Sequence, residues 1–221
     1  MNKRSKLNGY FVSGTDTGVG KTYISQHLIA ELNHHHSSVK VRKPVESGCV
    51  PDEKGHLMTQ DGDSLFHANQ CRENIGIVTP FRYKAALAPN QAALLEQKTL
   101  TLDDLESAVR NNLTAEDVVL VEGAGGIYSP IAEDGFNIDL TLRLGLDLIL
   151  VVEDRLGAIN QSMLAIKALE KKLDIHSIIL NQLDGSIDPN MNNYHTLKTY
   201  TKIPVYHCPC KGTLSQPILK H

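Results

Sequence analysis

The feature that most constrains this chain is the run Gly14-Thr15-Asp16-Thr17-Gly18-Val19-Gly20-Lys21-Thr22. It follows a short apolar stretch, Tyr10-Phe11-Val12. It precedes a segment from Tyr23 to Leu32 whose apolar residues Ile24, Leu28, Ile29 and Leu32 fall at helical spacing. A glycine-rich turn between a strand and a helix offers backbone N–H groups and the positive helix end to an anion, which is how a phosphate chain is cradled. The expected binding residues are Asp16, Thr17, Gly18, Val19, Gly20, Lys21 and Thr22. In such a loop Lys21 would reach the β- and γ-phosphates, and the Thr22 hydroxyl would ligate Mg2+.

The loop departs from both of its common versions. The usual pattern places a glycine five positions before the second glycine, where this chain has Thr15. The version used by partition and nitrogenase-reductase ATPases carries a lysine four positions before Gly20, where this chain has Asp16.

Further along, strand-like and helix-like segments alternate without internal repeats. Val39-Lys40-Val41, Val118 to Val121, Leu148 to Val152, Ser177 to Leu180 and Ile203 to Tyr206 read as strands. The continuous apolar runs among them suit strands buried on both faces of a parallel sheet. Helices are expected over Leu102–Leu113, Ile138–Leu144, Ala158–Leu173 and Asn190–Thr201. This alternation predicts an α/β fold, a single domain over residues 1–221 with a mostly parallel sheet flanked by helices. The polar stretch from Glu46 to Asn74 reads as a long loop with a short helix at Ser64–Asn69, and loops of that length are often functional.

Composition removes several other classes. At 221 residues and 41% hydrophobic, the chain has enough apolar matter for a core, which excludes general disorder. A formal net charge of -3 gives little support for a nucleic-acid-coating surface. The best apolar run, Leu146 to Val152, is strand-sized and contains Asp147, so no membrane span and no membrane partner are expected. The basic start from Met1 to Leu7 lacks a signal-peptide core, and a cytoplasmic location is expected. Four cysteines are too few for a disulfide framework, and Cys208-Pro209-Cys210 is too closely spaced for the usual zinc pair. His34-His35-His36 reads as a solvated turn.

In open parallel sheets ligands bind beyond the carboxyl ends of the strands. Three polar residues end apolar strands: Lys43, Glu122 and Asn181. A carboxylate such as Glu122 in that position supports Mg2+ in phosphate-loop enzymes, and the glycines after it, Gly123, Gly125 and Gly126, admit close backbone approach. Leu156-Gly157-Ala158-Ile159-Asn160 opens a helix, whose free N–H groups suit a carboxylate or phosphate. For Lys43, Asn181 and this helix start, a plain structural role stands equally open.

Taken together these segments resemble the dethiobiotin synthetases. The resemblance rests on the phosphate loop, Lys43-Pro44-Val45-Glu46-Ser47-Gly48, Val121-Glu122-Gly123-Ala124-Gly125-Gly126 with Pro130, the Leu156–Asn160 run and Asn181, in order and approximate spacing. It implies a fold like that of phosphate-loop NTPases and an ATP-dependent cyclo-ligase of biotin biosynthesis. The implied reaction joins 7,8-diaminononanoate and CO2 into dethiobiotin through a carbamate and a carbamic-phosphoric mixed anhydride. The resemblance further implies that Lys21 and Lys43 are catalytic and that Thr22, Asp63 and Glu122 hold Mg2+. Asp61, in the same Asp61-Gly62-Asp63-Ser64 run, competes with Asp63. Thr15, Lys43 and Ser47 would bind the carbamate and diamine end. Gly157, Ala158, Ile159 and Asn160 would bind the substrate carboxylate across a homodimer interface. Glu122 and Asn181 would belong to the ATP site, with Asn181 reading adenine.

Two segments depart from the family pattern. In Ala86-Leu87-Ala88-Pro89-Asn90-Gln91-Ala92-Ala93, Asn90 stands where many members have histidine. After Ile203-Pro204 the chain is short and lacks a clear match to the longer nucleotide-side loop of many members, so nucleotide preference stays open. Two rivals compete with this reading. An amide-forming ligase of the cobyrinic-acid type usually appends a glutaminase domain, for which 221 residues leave no room. A partition-type switch ATPase carries the signature lysine that Asp16 replaces.

Overall fold

The computed structural model describes residues 5–185, 188, 190–214 and 216–219. Six strands form one parallel sheet: β1 (Gly9–Gly14), β2 (Val39–Arg42), β3 (Val118–Gly126), β4 (Asp147–Glu153), β5 (Ile175–Asn181) and β6 (Val205–Cys208). Their order across the sheet is β6-β5-β4-β1-β3-β2. The longer helices are α1 (Lys21–His35), α2 (Asp61–Ala68), α3 (Leu102–Arg110), α4 (Asn137–Leu144), α5 (Ala158–Leu169) and α6 (Asn193–Tyr200).

Successive side chains of a strand point to opposite faces, and the apolar runs supply both. Phe11, Val119, Val121 and Leu148 join Leu105 and Leu140 of α3 and α4 in one core layer. Their sequence neighbours Val12, Val118, Leu120 and Ile149 join Ile24, Leu28 and Leu32 of α1 in the layer on the other face. On the α5 and α6 side, Leu150, Val152, Ile178 and Leu180 pack with Ala158 and Leu197. Burying a side chain such as Leu120 or Ile149, both 0% exposed, contributes about 1.5–3 kcal/mol each. A charge at either position would face apolar neighbours with no water.

From β1 the chain winds one way to β2 and β3, then returns past β1 to β4, β5 and β6. The carboxyl end of β1 therefore lies at the point where the winding direction reverses, the usual ligand crevice of such sheets.

Several element bounds differ from the sequence expectation, for local reasons. Helix α1 starts at Lys21, directly after Gly20, whose φ of 85° closes the phosphate loop. Helix α5 stops at Leu169, and Lys171 shortly beyond takes a φ of 69°. Helix α3 stops at Arg110 with Asn112 at a φ of 57°. Part of the Asn190–Thr201 expectation is realised as α6, and its first turn is missing. The stretch expected as a loop from Glu46 to Asn74 carries more structure than its polarity suggests. Val45–Ser47 pairs in parallel with Phe81–Tyr83, and Val50–Pro51 forms a small hairpin with Leu57–Met58. The short helix expected at Ser64–Asn69 begins earlier, at Asp61. Among the described residues no helix is long and apolar enough to cross a membrane.

Candidate active site

The phosphate loop is shaped by glycine and held from behind. Gly18 and Gly20 take φ values of 78° and 85°, which a side-chain-bearing residue adopts only with strain. A Cβ at Gly20 would lie 2.1 Å from Asn181 Nδ2. Asn181 ends β5, is 1% exposed, and donates from Nδ2 to the Val19 carbonyl at 2.9 Å. Thr15 N–H donates to Val151 O of β4 at 3.0 Å, tying the other end of the loop to the sheet. Val19 buries its side chain in the core, so only its backbone serves the loop.

Lys21, the first residue of α1, is 7% exposed and reaches back to the Asp16 carbonyl at 3.2 Å. Burial lowers its pKa to about 8, and the neighbouring Lys43 charge pushes the same way against Glu122 and Asp61. The next residue, Thr22, has its Oγ1 2.9 Å from Glu122 Oε1 and 2.8 Å from Asp61 Oδ1, so its one hydroxyl proton is shared between the two carboxylates. Ser25, on the following turn of α1, donates to the other Glu122 oxygen at 2.6 Å. Lys43, just past β2, donates from Nζ to Asp61 Oδ2 and Glu122 Oε1, both at 2.8 Å, and to Gly123 O at 3.1 Å. Burial opposes its charge, but the two carboxylates outweigh it and hold the ammonium above its ordinary pKa. The same ammonium holds the Asp61 carboxyl below the usual range, against its own desolvation.

Lys21, Thr22, Lys43 and Ser47 line one cavity of about 320 Å³, with Asp61 and Glu46. Thr15 and Asp16 line an adjoining one of about 330 Å³, walled by Tyr128, Gln161 and Leu164. Of the two candidate carboxylates, it is Asp61 that bonds Thr22 and Lys43 and lines the cavity, whereas Asp63, the expected partner of Thr22 and Glu122, is not among the residues lining it. Because α2 begins at Asp61, a residue two positions on projects roughly 200° around the helix. Asp61 is therefore the carboxylate that meets Thr22. Gly157, Ala158, Ile159 and Asn160 lie at the start of α5, outside the lining of the phosphate cavity within one chain.

Three supporting residues escaped the sequence reading. Ser25 had a usable signal, since it lies three residues after Thr22 on the same helical face. Asn137, 0% exposed, accepts from Ala124 N–H and donates to the Ala124 and Gly126 carbonyls, fixing the glycine-rich end of β3 after Glu122. Nothing local marks it. Glu46 stood inside a quoted motif without a role; it accepts three backbone hydrogen bonds from Gln60, Asp61 and Gly62.

Strand β3 runs on past Glu122 to Gly126 rather than ending there. A glycine-rich loop feeding Lys-Thr into a helix at the switch point of a parallel sheet, with a carboxylate on that threonine from the adjacent strand β3, defines a phosphate-loop NTPase. The fold agrees: the chain superposes on a ParA family ATPase from Chlorobium tepidum with a TM-score of 0.51 at 16% identity, covering 93% of this chain and 85% of that one. It also superposes on the signal recognition particle receptor FtsY of Elizabethkingia anophelis in complex with GDP, with a TM-score of 0.53 at 17% identity, covering 94% of this chain but 59% of that one. A family model described as an AAA domain matches residues 8–208. Among curated proteins, the chain is 39% identical to the ATP-dependent dethiobiotin synthetase BioD of Vesicomyosocius okutanii, over 88% of this chain and 87% of that protein. It is 38% identical to the protein of the same name from Bacillus subtilis strain 168, over 82% and 78% respectively. The chain belongs to the ATP-dependent dethiobiotin synthetase family.

Proposed function

We propose that this chain closes the ureido ring of dethiobiotin from 7,8-diaminononanoate, CO2 and ATP. One substrate amine takes up CO2 as a carbamate. A carbamate oxygen attacks the γ-phosphorus and ADP leaves; the second amine then attacks the carbonyl carbon, and phosphate leaves as the ring closes. The substrate supplies every nucleophile, so the protein's task is positioning and charge stabilisation.

The observation that carries this reading is the convergence of two buried ammonium groups, Lys21 and Lys43, on one cavity beside Thr22. Lys21 arrives from the loop and meets the β- and γ-phosphates. Lys43 arrives from the end of β2 and faces the transferring phosphoryl group and the carbamate. Ser47 shares that cavity and positions the diamine end. Thr15 Oγ1 is buried with no hydrogen-bond partner among the described residues, which suits a hydroxyl waiting for the carbamate. Asn181 Nδ2 donates one of its two N–H bonds to Val19 O, which fixes the amide, and its other N–H and its oxygen are the groups that would meet adenine.

The donor set fits Mg2+. Thr22 Oγ1, Asp61 and Glu122 are hard oxygen ligands, and the threonine hydroxyl lies within hydrogen-bonding distance of both carboxylates. They would hold the ion, which when bound neutralises charge on the phosphate oxygens. At the start of α5 the Ala158 side chain is buried and its N–H donates to Arg155 O, so the amides of Gly157, Ile159 and Asn160 are those that would hold the substrate carboxylate of a neighbouring subunit in a homodimer. The test is ATP turnover measured as phosphate release, which this reading expects to require both the diamine and bicarbonate. Brisk release indifferent to the diamine would point to a switch ATPase.

A further inference from the structure

Glu46 is a carboxylate inside the reaction cavity that the proposed chemistry does not use. It is 7% exposed and lines the same space as Lys43, Ser47 and Asp61. Both oxygens are engaged by backbone. Oε1 accepts from Gln60 N–H at 2.6 Å and Asp61 N–H at 3.0 Å, and Oε2 accepts from Gly62 N–H at 2.8 Å. These are the free N–H groups at the start of α2, where no side chain of the helix itself caps the end. A carboxylate there gains charge-assisted hydrogen bonds and the favourable end of the helix dipole. With both oxygens so occupied, it is poorly placed to accept a proton from substrate.

The grip falls on the backbone of Asp61. The Asp61 side chain in turn spans Thr22 Oγ1 and Lys43 Nζ, each at 2.8 Å. Glu46 and Lys43 are three residues apart on one segment, so that segment holds Asp61 twice: by its backbone through Glu46, and by its carboxylate through Lys43. The far side is closed as well. A Cβ at Gly62 would lie 2.1 Å from Thr79 Oγ1, so the start of α2 is wedged against that threonine.

We propose that Glu46 is a positioning residue that sets the reach of Asp61 toward the cation beside Thr22. This inference rests on the reading of Asp61 as part of the Mg2+ site. Outer partners of metal ligands change metal affinity by roughly 10–100-fold when lost. Glu46→Gln keeps the volume but turns one acceptor into a donor facing an N–H.

The test measures the Mg2+ concentration for half-maximal dethiobiotin formation, together with amide hydrogen exchange at residues 60–62 without nucleotide. Glu46→Gln is expected to raise the Mg2+ requirement about ten-fold or more, to restore most of kcat at saturating Mg2+, and to speed exchange at those amides. Asp61→Asn combined with Glu46→Gln is expected to show no larger Mg2+ effect than Asp61→Asn alone. A lowered melting temperature with an unchanged Mg2+ requirement overturns the proposal, since Glu46 is then only a cap. Should the variant not fold, wild-type exchange decides: amides 60–62 as fast as free peptide also overturn it. A wild-type protein that makes no dethiobiotin signals failure of the functional reading instead, so the two failures are distinct.

Discussion

Lys43 Nζ lies 2.8 Å from Glu122 Oε1, and the two residues are 2% and 0% exposed. A buried ion pair repays its desolvation only when its remaining donors and acceptors are met. Here Asp61 and Gly123 O take the rest of the ammonium, while Ser25 and Thr22 serve the carboxylate. The pair joins the edge strand β2 to the inner strand β3 at their ligand-side ends, so the sheet itself sets its position.

Lys43→Ala is expected to lower kcat by roughly 10²–10³-fold, the scale of one preorganised electrostatic group. It should also cost about 3–5 kcal/mol of stability, because Glu122 is left as an uncompensated buried charge. Steady-state kinetics and denaturant titration separate the two. A stability loss with kcat intact would make Lys43 only a countercharge.

Lys21 has a folded-state pKa of about 8, below its ordinary value. Phosphate binding favours the charged form, so ATP binding should take up a proton near and above pH 8 and weaken as pH rises further. Calorimetry in buffers of different ionisation enthalpy reads that uptake directly. For stability the sign is opposite: between about 8 and the unfolded value the unfolded chain holds more protons, so this residue makes the free protein more stable as pH rises. Lys21→Met should abolish both trends.

Asp61→Asn should raise the Mg2+ concentration needed for half-maximal rate, whereas Asp63→Asn should leave it unchanged. Titrating Mg2+ at fixed ATP compares them. Equal effects would mean that the start of α2 does not discriminate the two carboxylates.

The proposed homodimer predicts complementation between two inactive variants. Gly157 has a φ of 96°, which proline cannot adopt, so the anchoring N–H is better removed by Ile159→Pro in the first turn of α5. Mixed with Lys21→Ala, it should recover up to about a quarter of wild-type activity in an even random exchange, because half the dimers then hold one intact site. Folded heterodimers without recovered activity would mean that each subunit works alone.

The sheet was legible because strands buried on both faces read as unbroken apolar runs, as Val118 to Val121 does. Lys43, Glu122 and Asn181 stood out as polar residues at the ends of such runs. Asp61 was not separable from Asp63, because which of them faces Thr22 depends on where α2 begins, and Glu46 grips that start from another segment. Asn137 was invisible for a related reason: its partners are backbone groups of Ala124 and Gly126 in β3, outside its own helix. Local pattern reveals elements and their ends, while contacts between distant backbones appear only in three dimensions.

The most direct test of the account is mass spectrometry of the product formed from diaminononanoate, MgATP and bicarbonate labelled with heavy oxygen. Attack of a carbamate oxygen on the γ-phosphorus predicts dethiobiotin together with inorganic phosphate carrying one labelled oxygen from bicarbonate. Phosphate without label, released whether or not the diamine is present and without dethiobiotin, would contradict it.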